Sequence, residues 1–289
     1  MTLSAHYGPG KLGLSFELFP PKTEAGQAAL LKHVSKLVEF KPDFVTCTYG
    51  AGGSTRDKTL DIVQGVKQDH GLPVASHLTC VGSTRDQLRS YLTEAQQRGI
   101  DYIVALRGDP PAGETDFKPV EGGLSYANEL VELIRSEFAG FGIAVAGYPE
   151  KHQEAPNAEI DLENLKRKVD TGAEIVITQL FYDNDSFFRF RDRCDAIGIN
   201  IPIIPGILPV TNLSQIQRIT SMCGAVLPDA FVSKLGEQEG DDWQFQAGVD
   251  FATQQVQSLI DAGVPGVHFY VLNKSQATSA VLRAITRPE

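Results

Sequence analysis

The sequence predicts an α/β fold, a single-domain (β/α)8 TIM barrel over residues 1–289. Three observations carry this. Eight short stretches rich in apolar and β-branched residues alternate with helical segments, and strands that alternate with helices form a parallel sheet. Those strand stretches are apolar on both faces, as strands enclosed between helices and a filled interior must be. The first strand is followed by Phe19-Pro20-Pro21, with none of the glycines that a doubly wound dinucleotide-binding sheet carries in its first turn. The 289 residues suit one such barrel, which takes roughly 250 residues before extensions.

The first strand is read at 12–18 (LGLSFEL), ending in Glu17. Thr23 is a suitable N-cap with Glu24 in the first turn of a helix running to about residue 40. Strand two is 43–49 (DFVTCTY), then a glycine-rich loop at 50–54 and a helix from 55 to about 70. Strand three, 73–80, carries His77, and a helix over 86–98 ends at Gly99. Strand four, 102–106, breaks into Arg107-Gly108-Asp109-Pro110-Pro111. A long polar loop to residue 123 follows, and such loops inside a compact domain are often functional. Further strands are expected at 142–148, 174–179, 201–208 and 266–272, the third of these irregular because of its prolines. The helices between them are expected at 125–138, 161–171, 184–197, 213–223, 228–235 and 242–262, with a last one at 275–285.

In a parallel barrel the carboxyl ends of the strands gather on one face, where the chemistry sits. There the sequence places Glu17, Thr48, His77, Arg107 with Asp109, Tyr148 with His152, Gln179, and Asn273 with Lys274. Taken singly, each has a structural explanation: Asp109 could cap a turn, His77 could be a bonded core histidine, and Lys166-Arg167-Lys168 could be a solvated helix face. Together they give nearly every unit a polar group at one rim. No HExxH, HxH or CxxC spacing is present, so no metal site is expected. No G-x-S-x-G elbow is present either. Carboxyl groups, amides, hydroxyls and cations suit a large polar cofactor and a polar heterocycle, with a carboxyl group moving a proton.

The formal net charge of −10 argues against nucleic acid as a partner. No apolar run approaches a membrane span. The first residues lack the pattern of a secretory leader. The four cysteines suggest free thiols in a reducing compartment, so a cytoplasmic protein is expected.

The motifs SFELFPPKT (15–23), TYGAGGSTRD (48–57), HLTC (77–80), ALRGDPP (105–111), AGYPEKH (146–152), LKRKVDTGA (165–173), ITQLFYD (177–183), IIPGILPVTN (203–212) and HFYVLN (268–273) resemble the bacterial, FAD-dependent form of methylenetetrahydrofolate reductase. The match runs in order along almost the whole chain. It implies non-covalent FAD at the strand carboxyl ends, reduced by NADH or NADPH and reoxidised by 5,10-methylenetetrahydrofolate, giving 5-methyltetrahydrofolate. Carried over by motif, Glu17 and Asp109 become the catalytic pair: Glu17 the general acid at N10, Asp109 the carboxylate near flavin and pterin. Cofactor contacts fall on Thr48, His77, Leu106, Arg107, Gly108, Asp109, Tyr126, Ala146, Tyr148, His152, Asp161, Asn164, Arg167 and Lys168. Substrate contacts fall on Glu17, Asp109, Gln179, Gln215 and Lys274. The partners implied are the folate and the nicotinamide nucleotide, with self-association into a homo-oligomer left open. Two positions depart from the family pattern: Ile219 stands where a stacking phenylalanine is usual, and Lys274 where an arginine is. The resemblance also implies that the regulatory C-terminal domain of eukaryotic members is absent. Glu17 could serve as an acid at neutral pH if burial raised its pKa, and neighbouring Phe16, Phe19 and Pro20 suggest such a setting.

Overall fold

A computed structural model describes residues 2–8, 10–49, 56–110, 113–114 and 117–287. The predicted loop at 50–54, Thr55 and part of the loop after Arg107 lie outside the described residues.

Among the described residues, nine parallel strands form one sheet. They are β1 (Gly13–Leu18), β2 (Phe44–Cys47), β3 (Val74–Thr79), β4 (Tyr102–Leu106), β5 (Gly142–Gly147), β6 (Ile175–Thr178), β7 (Ile203–Ile204), β8 (Gly206–Ile207) and β9 (Gly266–Tyr270). Strands β1 to β7 pair in chain order, β1 pairs with β9, and β9 pairs with β8. Strands β7 and β8 are two halves of one barrel position, parted by Pro205. A proline cannot donate to a ladder, so the upstream half bonds β6 and the downstream half bonds β9. The result is the expected eight-position barrel, its seventh position irregular as the prolines foretold.

The helices are α1 (Glu24–Val38), α2 (Arg56–His70), α3 (Arg85–Gln97), α4 (Ala127–Glu137), α5 (Ala158–Asp170), α6 (Asn184–Ala196), α7 (Leu213–Cys223), α8 (Asp229–Leu235), α9 (Asp241–Asp261) and α10 (Gln276–Ala284). Their starts are fixed locally. Thr23 accepts from Gly26 N as expected, and Thr84 and Gln87 form a reciprocal capping box. Asn157 and Asn212 accept from the third residues of α5 and α7.

Strand alternation sorts the side chains. Phe16, Leu18, Val45, Leu78, Ile103, Val145, Val176 and Phe269 join the core between strands and helices. Phe44, Ala75, Tyr102, Val104, Ala144, Ile175, Ile177 and Ile204 fill the interior. The amino-terminal 3-10 turn Leu3–Tyr7, which the sequence reading did not anticipate, floors the barrel. A Cβ on Gly13 or Gly266 would come within 2.7 Å of the Tyr7 ring, and one on Gly142 within 2.8 Å of Leu3 Cβ. Three strands therefore begin on glycine because the floor occupies that space.

Gly65 is the opposite case. It lies within α2, and a Cβ there would meet nothing within 4 Å. Gly65→Ala is expected to stabilise the fold by about 0.5–1 kcal/mol. Thermal denaturation should show a midpoint raised by about 1–3 °C; a fall would mean that α2 needs the glycine.

Candidate active site

The mouth of the barrel holds a buried carboxylate between two imidazoles. Glu17, the fifth residue of β1, points inward and is 7% exposed. Its Oε2 lies 3.1 Å from His77 Nε2 and 3.5 Å from His268 Nε2. The ladder sets Ser15 beside His268, and Ser15 Oγ lies 2.7 Å from His268 Nδ1. Neither Nε2 makes a well-directed hydrogen bond, and the buried Thr46 and Thr79 hydroxyls have no partner among the described residues. This is polar capacity left open at the mouth, and buried groups of this kind are usually satisfied.

Burial alone would raise the Glu17 carboxyl. The charge and hydrogen bonds of His77 and His268 outweigh it and bring the carboxyl down to about 2. The raised value expected from the sequence is therefore corrected, for a geometric reason. Phe16 points out of the barrel, against Phe269, and the groups facing Glu17 are imidazoles. At neutral pH Glu17 is a carboxylate.

A second group lines the rim from β4 to α5. Arg107, past the end of β4, donates from both Nη atoms to the two oxygens of Glu154, at 2.5 and 2.6 Å. Its guanidinium also lies over the Phe117 ring. Gly108 takes a positive φ of 86°, and a Cβ there would come 2.7 Å from Val81 Cγ1, so the loop is pressed onto the end of β3. Asp109 is exposed and makes no hydrogen bond with a described residue. Past β5, Tyr148 and His152 meet edge to face at 4.6 Å. Asp161 accepts from His152 N at 3.0 Å. Lys168 donates to Ala146 O at 2.6 Å and lies 5.9 Å from the Tyr148 ring centre. Burial lowers Lys168 to about 8, against the pull of Asp161. His152 is lowered too, by burial and then by the Arg107 charge.

The basic run on α5 divides. Lys168 turns toward the rim, whereas Lys166 pairs with Asp170 and Arg167 is exposed with Asn164 as its acceptor. Thr48 and Leu106 are half-buried at the ends of β2 and β4, and Tyr126 is 61% exposed at the start of α4. Gln179 follows β6, its side chain accepting from Leu180 N. Gln215, on α7, and Lys274, after β9, are exposed, and Ile219 is half-buried on α7. The expected residues thus fall into a mouth cluster, a cationic rim and an exposed outer edge.

The sequence reading did not single out His268, Ser15 or Glu154. Alternation offered the signal for two of them: once Glu17 faces inward, so does Ser15, and once β9 lies beside β1, His268 faces the same interior. Glu154 carried no such signal, because its pairing with Arg107 joins two loops.

A parallel barrel whose strand ends converge on a buried acid–base cluster beside a cationic rim is a barrel enzyme with its chemistry at the carboxyl face. The family model for methylenetetrahydrofolate reductase matches residues 2–286. The chain is 42% identical over 278 residues to the 5,10-methylenetetrahydrofolate reductase of Escherichia coli (strain K12), covering 96% of this chain and 91% of that one. It is 39% identical over 284 residues to methylenetetrahydrofolate reductase (NADH) 1 of Arabidopsis thaliana, covering 94% of this chain and 48% of the plant protein. The chain belongs to the methylenetetrahydrofolate reductase family, and it is an oxidoreductase. Among solved structures, a Clostridium thermocellum protein that binds two copies of 5-methyl-5,6,7,8-tetrahydrofolic acid superposes with a TM-score of 0.66 at 14% identity, over 94% of this chain and 93% of that one. At that identity the likeness concerns the fold. No helix among the described residues is long and apolar enough to cross a membrane.

Proposed function

We propose that the chain reduces 5,10-methylenetetrahydrofolate to 5-methyltetrahydrofolate, with FAD as its bound cofactor and NADH or NADPH as reductant, the two substrates using the site in turn. The observation that carries this reading is Glu17 between His77 and His268, an acid–base group buried where the strands converge. Opening the five-membered folate ring requires a proton at N10, and Glu17 is the carboxyl group set to deliver it.

The rim fits FAD. A pyrophosphate calls for cations, and Arg107, His152 and Lys168 stand within one stretch of rim; the Lys168 ammonium has a neutral carbonyl as its hydrogen-bond acceptor. Thr46 and Thr79 present hydroxyls without a partner among the described residues toward the mouth. When bound, FAD supplies a two-electron relay from the nicotinamide to the folate. The chain itself holds and orients the ligands, excludes water and moves the proton. Asp109, with no hydrogen bond to a described residue, is assigned to the pterin, Gln179 and Gln215 to the folate, and exposed Lys274 to a carboxylate of its tail. A lysine there acts as a point charge rather than a two-pronged clamp. The compartment assigned to this chemistry is the cytoplasm.

The decisive experiment follows the flavin spectrum of the purified protein. NADH or NADPH should bleach it, and methylenetetrahydrofolate should restore it. Bleaching without restoration would remove the folate from this reading. Lys168→Met is expected to release FAD at least ~10-fold faster on dilution, since it removes a charge-assisted contact worth about 1.5–3 kcal/mol. An unchanged release rate, followed by flavin fluorescence, would take Lys168 out of the cofactor site.

A further inference from the structure

Directly after β9, two consecutive residues other than glycine, Leu272 and Asn273, take positive φ values of 46° and 57°. They form the centre of a tight turn, closed by Lys274 N donating to Val271 O at 2.8 Å. Positive φ at both central positions marks the mirror-image type I′ turn, which glycine, asparagine and aspartate dominate. Asparagine tolerates that region, whereas leucine is strained in it. Strain of this kind persists where the surroundings over-determine the backbone, and it gathers at ligand sites. We infer that Leu272 and Asn273 are positioning residues for the folate, acting through Lys274 to hold its ammonium where a carboxylate of the folate tail arrives; the inference rests on the folate reading.

The turn is held from three sides. Asn273 Oδ1 accepts from Phe19 N at 2.8 Å, and its Nδ2 donates to Phe19 O at 2.7 Å. One side chain thus closes both backbone groups of the residue directly after β1. Just before the turn, Val271 N donates to Glu17 O at 3.4 Å. On the far side of Lys274, the buried Ser275 donates from its N to His33 Nδ1 at 3.2 Å, and its Oγ lies 3.0 Å from the same nitrogen. Leu272 is the third tie. Its half-buried side chain packs against the cluster that Leu213 and Ile219 of α7 also pack against.

These ties account for the leucine. Asparagine followed by glycine would form the same turn without strain, but would carry no anchor into that cluster. The strained version links the turn to α7, the helix that carries Gln215. Lys274 therefore sits between two pinned residues, with its side chain exposed. A lysine side chain has many rotamers to lose on binding an anion. Fixing its backbone beforehand confines that loss to the side chain itself, and such preorganisation strengthens binding without a new contact.

Asn273→Gly keeps the left-handed backbone accessible and deletes both bonds to Phe19. In stopped-flow measurements on the FAD-loaded enzyme, the methylenetetrahydrofolate concentration giving half-maximal reoxidation should rise by ~5–10-fold. The limiting reoxidation rate should stay within about two-fold of wild type, as expected when binding is lost and chemistry is kept. Lys274→Met alone should raise the half-saturating concentration by ~10-fold. In the Lys274→Met background, Asn273→Gly should then move it by less than about two-fold, because the group it positions is gone. FAD release on dilution, followed by flavin fluorescence, should match wild type in each variant.

An unchanged half-saturating concentration in Asn273→Gly or in Lys274→Met overturns the inference. So does an effect of Asn273→Gly that is equally large with and without Lys274, or one accompanied by equally accelerated FAD release, since either outcome would make the turn a general support of the fold. If Asn273→Gly does not fold, Leu272→Asn decides the matter: it suits the turn but loses the anchor beside α7. A weakening that disappears in the Lys274→Met background supports the inference, and one that persists there overturns it. Failure of the folate reading is seen separately, in a wild-type enzyme that NADH bleaches and methylenetetrahydrofolate does not reoxidise at any concentration.

Discussion

Glu17→Gln is expected to leave bleaching of the flavin by NADH within about two-fold of wild type and to slow its reoxidation by methylenetetrahydrofolate by at least ~10²-fold. Glutamine keeps the size and can still face the imidazoles, but it cannot take a proton from one side and give it to the other. General acid assistance is typically worth ~10²–10⁴-fold, or roughly 3–5 kcal/mol of barrier. The resting carboxylate sharpens the expectation. Because the imidazoles bring the Glu17 carboxyl down to about 2, it rests as a carboxylate and must gain a proton before it can give one. The substitution also strips the imidazoles of their counter-charge, so the pH dependence of the slow step should change along with its rate. If both half-reactions slow together, Glu17 serves cofactor binding or packing. If neither slows, the proton reaches N10 by another route, with Asp109 the first place to look.

Gly248→Ala should be the most damaging single-methyl change in the fold. Alanine normally favours a helix over glycine by about 1 kcal/mol. Here a Cβ would lie 1.8 Å from Val210 O and 2.7 Å from Val210 C, and backbone cannot swing aside as a side chain can. Helix α9 would have to lift off the segment after β8, loosening the cluster of Tyr182, Phe231 and Leu235 packed beneath it. A cost of about 3 kcal/mol is expected, seen as a fall in Tm of about 6–12 °C. Folate binding should weaken too, because α7, which carries Gln215, is tied to α9 where Gln244 Oε1 accepts from Leu213 N. An unchanged Tm would mean that α9 can shift freely.

The contrast between these two sites shows what the sequence can and cannot reveal. Glu17 was legible as a mouth residue because it ends an apolar strand that breaks at Phe19-Pro20-Pro21. Its protonation state was not, because the decisive neighbours, His77 on β3 and His268 on β9, arrive only through barrel closure. Proximity in sequence pointed instead to Phe16, which alternation turns to the opposite side. The barrel itself was legible because hydrophobic periodicity is local. The floor formed by Leu3–Tyr7 was not, because a single 3-10 turn carries too short a pattern. Gly248 looks like any tolerated helix glycine, and its necessity lies in a contact with Val210, distant in the chain.

The split at Pro205 bears on how the barrel is held shut. Each half, β7 and β8, offers two ladder residues to its neighbour, against five between β1 and β9. Across the gap, Thr178 Oγ1 accepts from Gly206 N at 2.9 Å, and Tyr270 Oη donates to Thr178 O at 2.7 Å. A backbone ladder is indifferent to which residues compose it, so most of the barrel's closure survives mutation. At this seam part of the closure is written in two side chains. Evolution can therefore strengthen or slacken this staved joint by exchanging Thr178 or Tyr270.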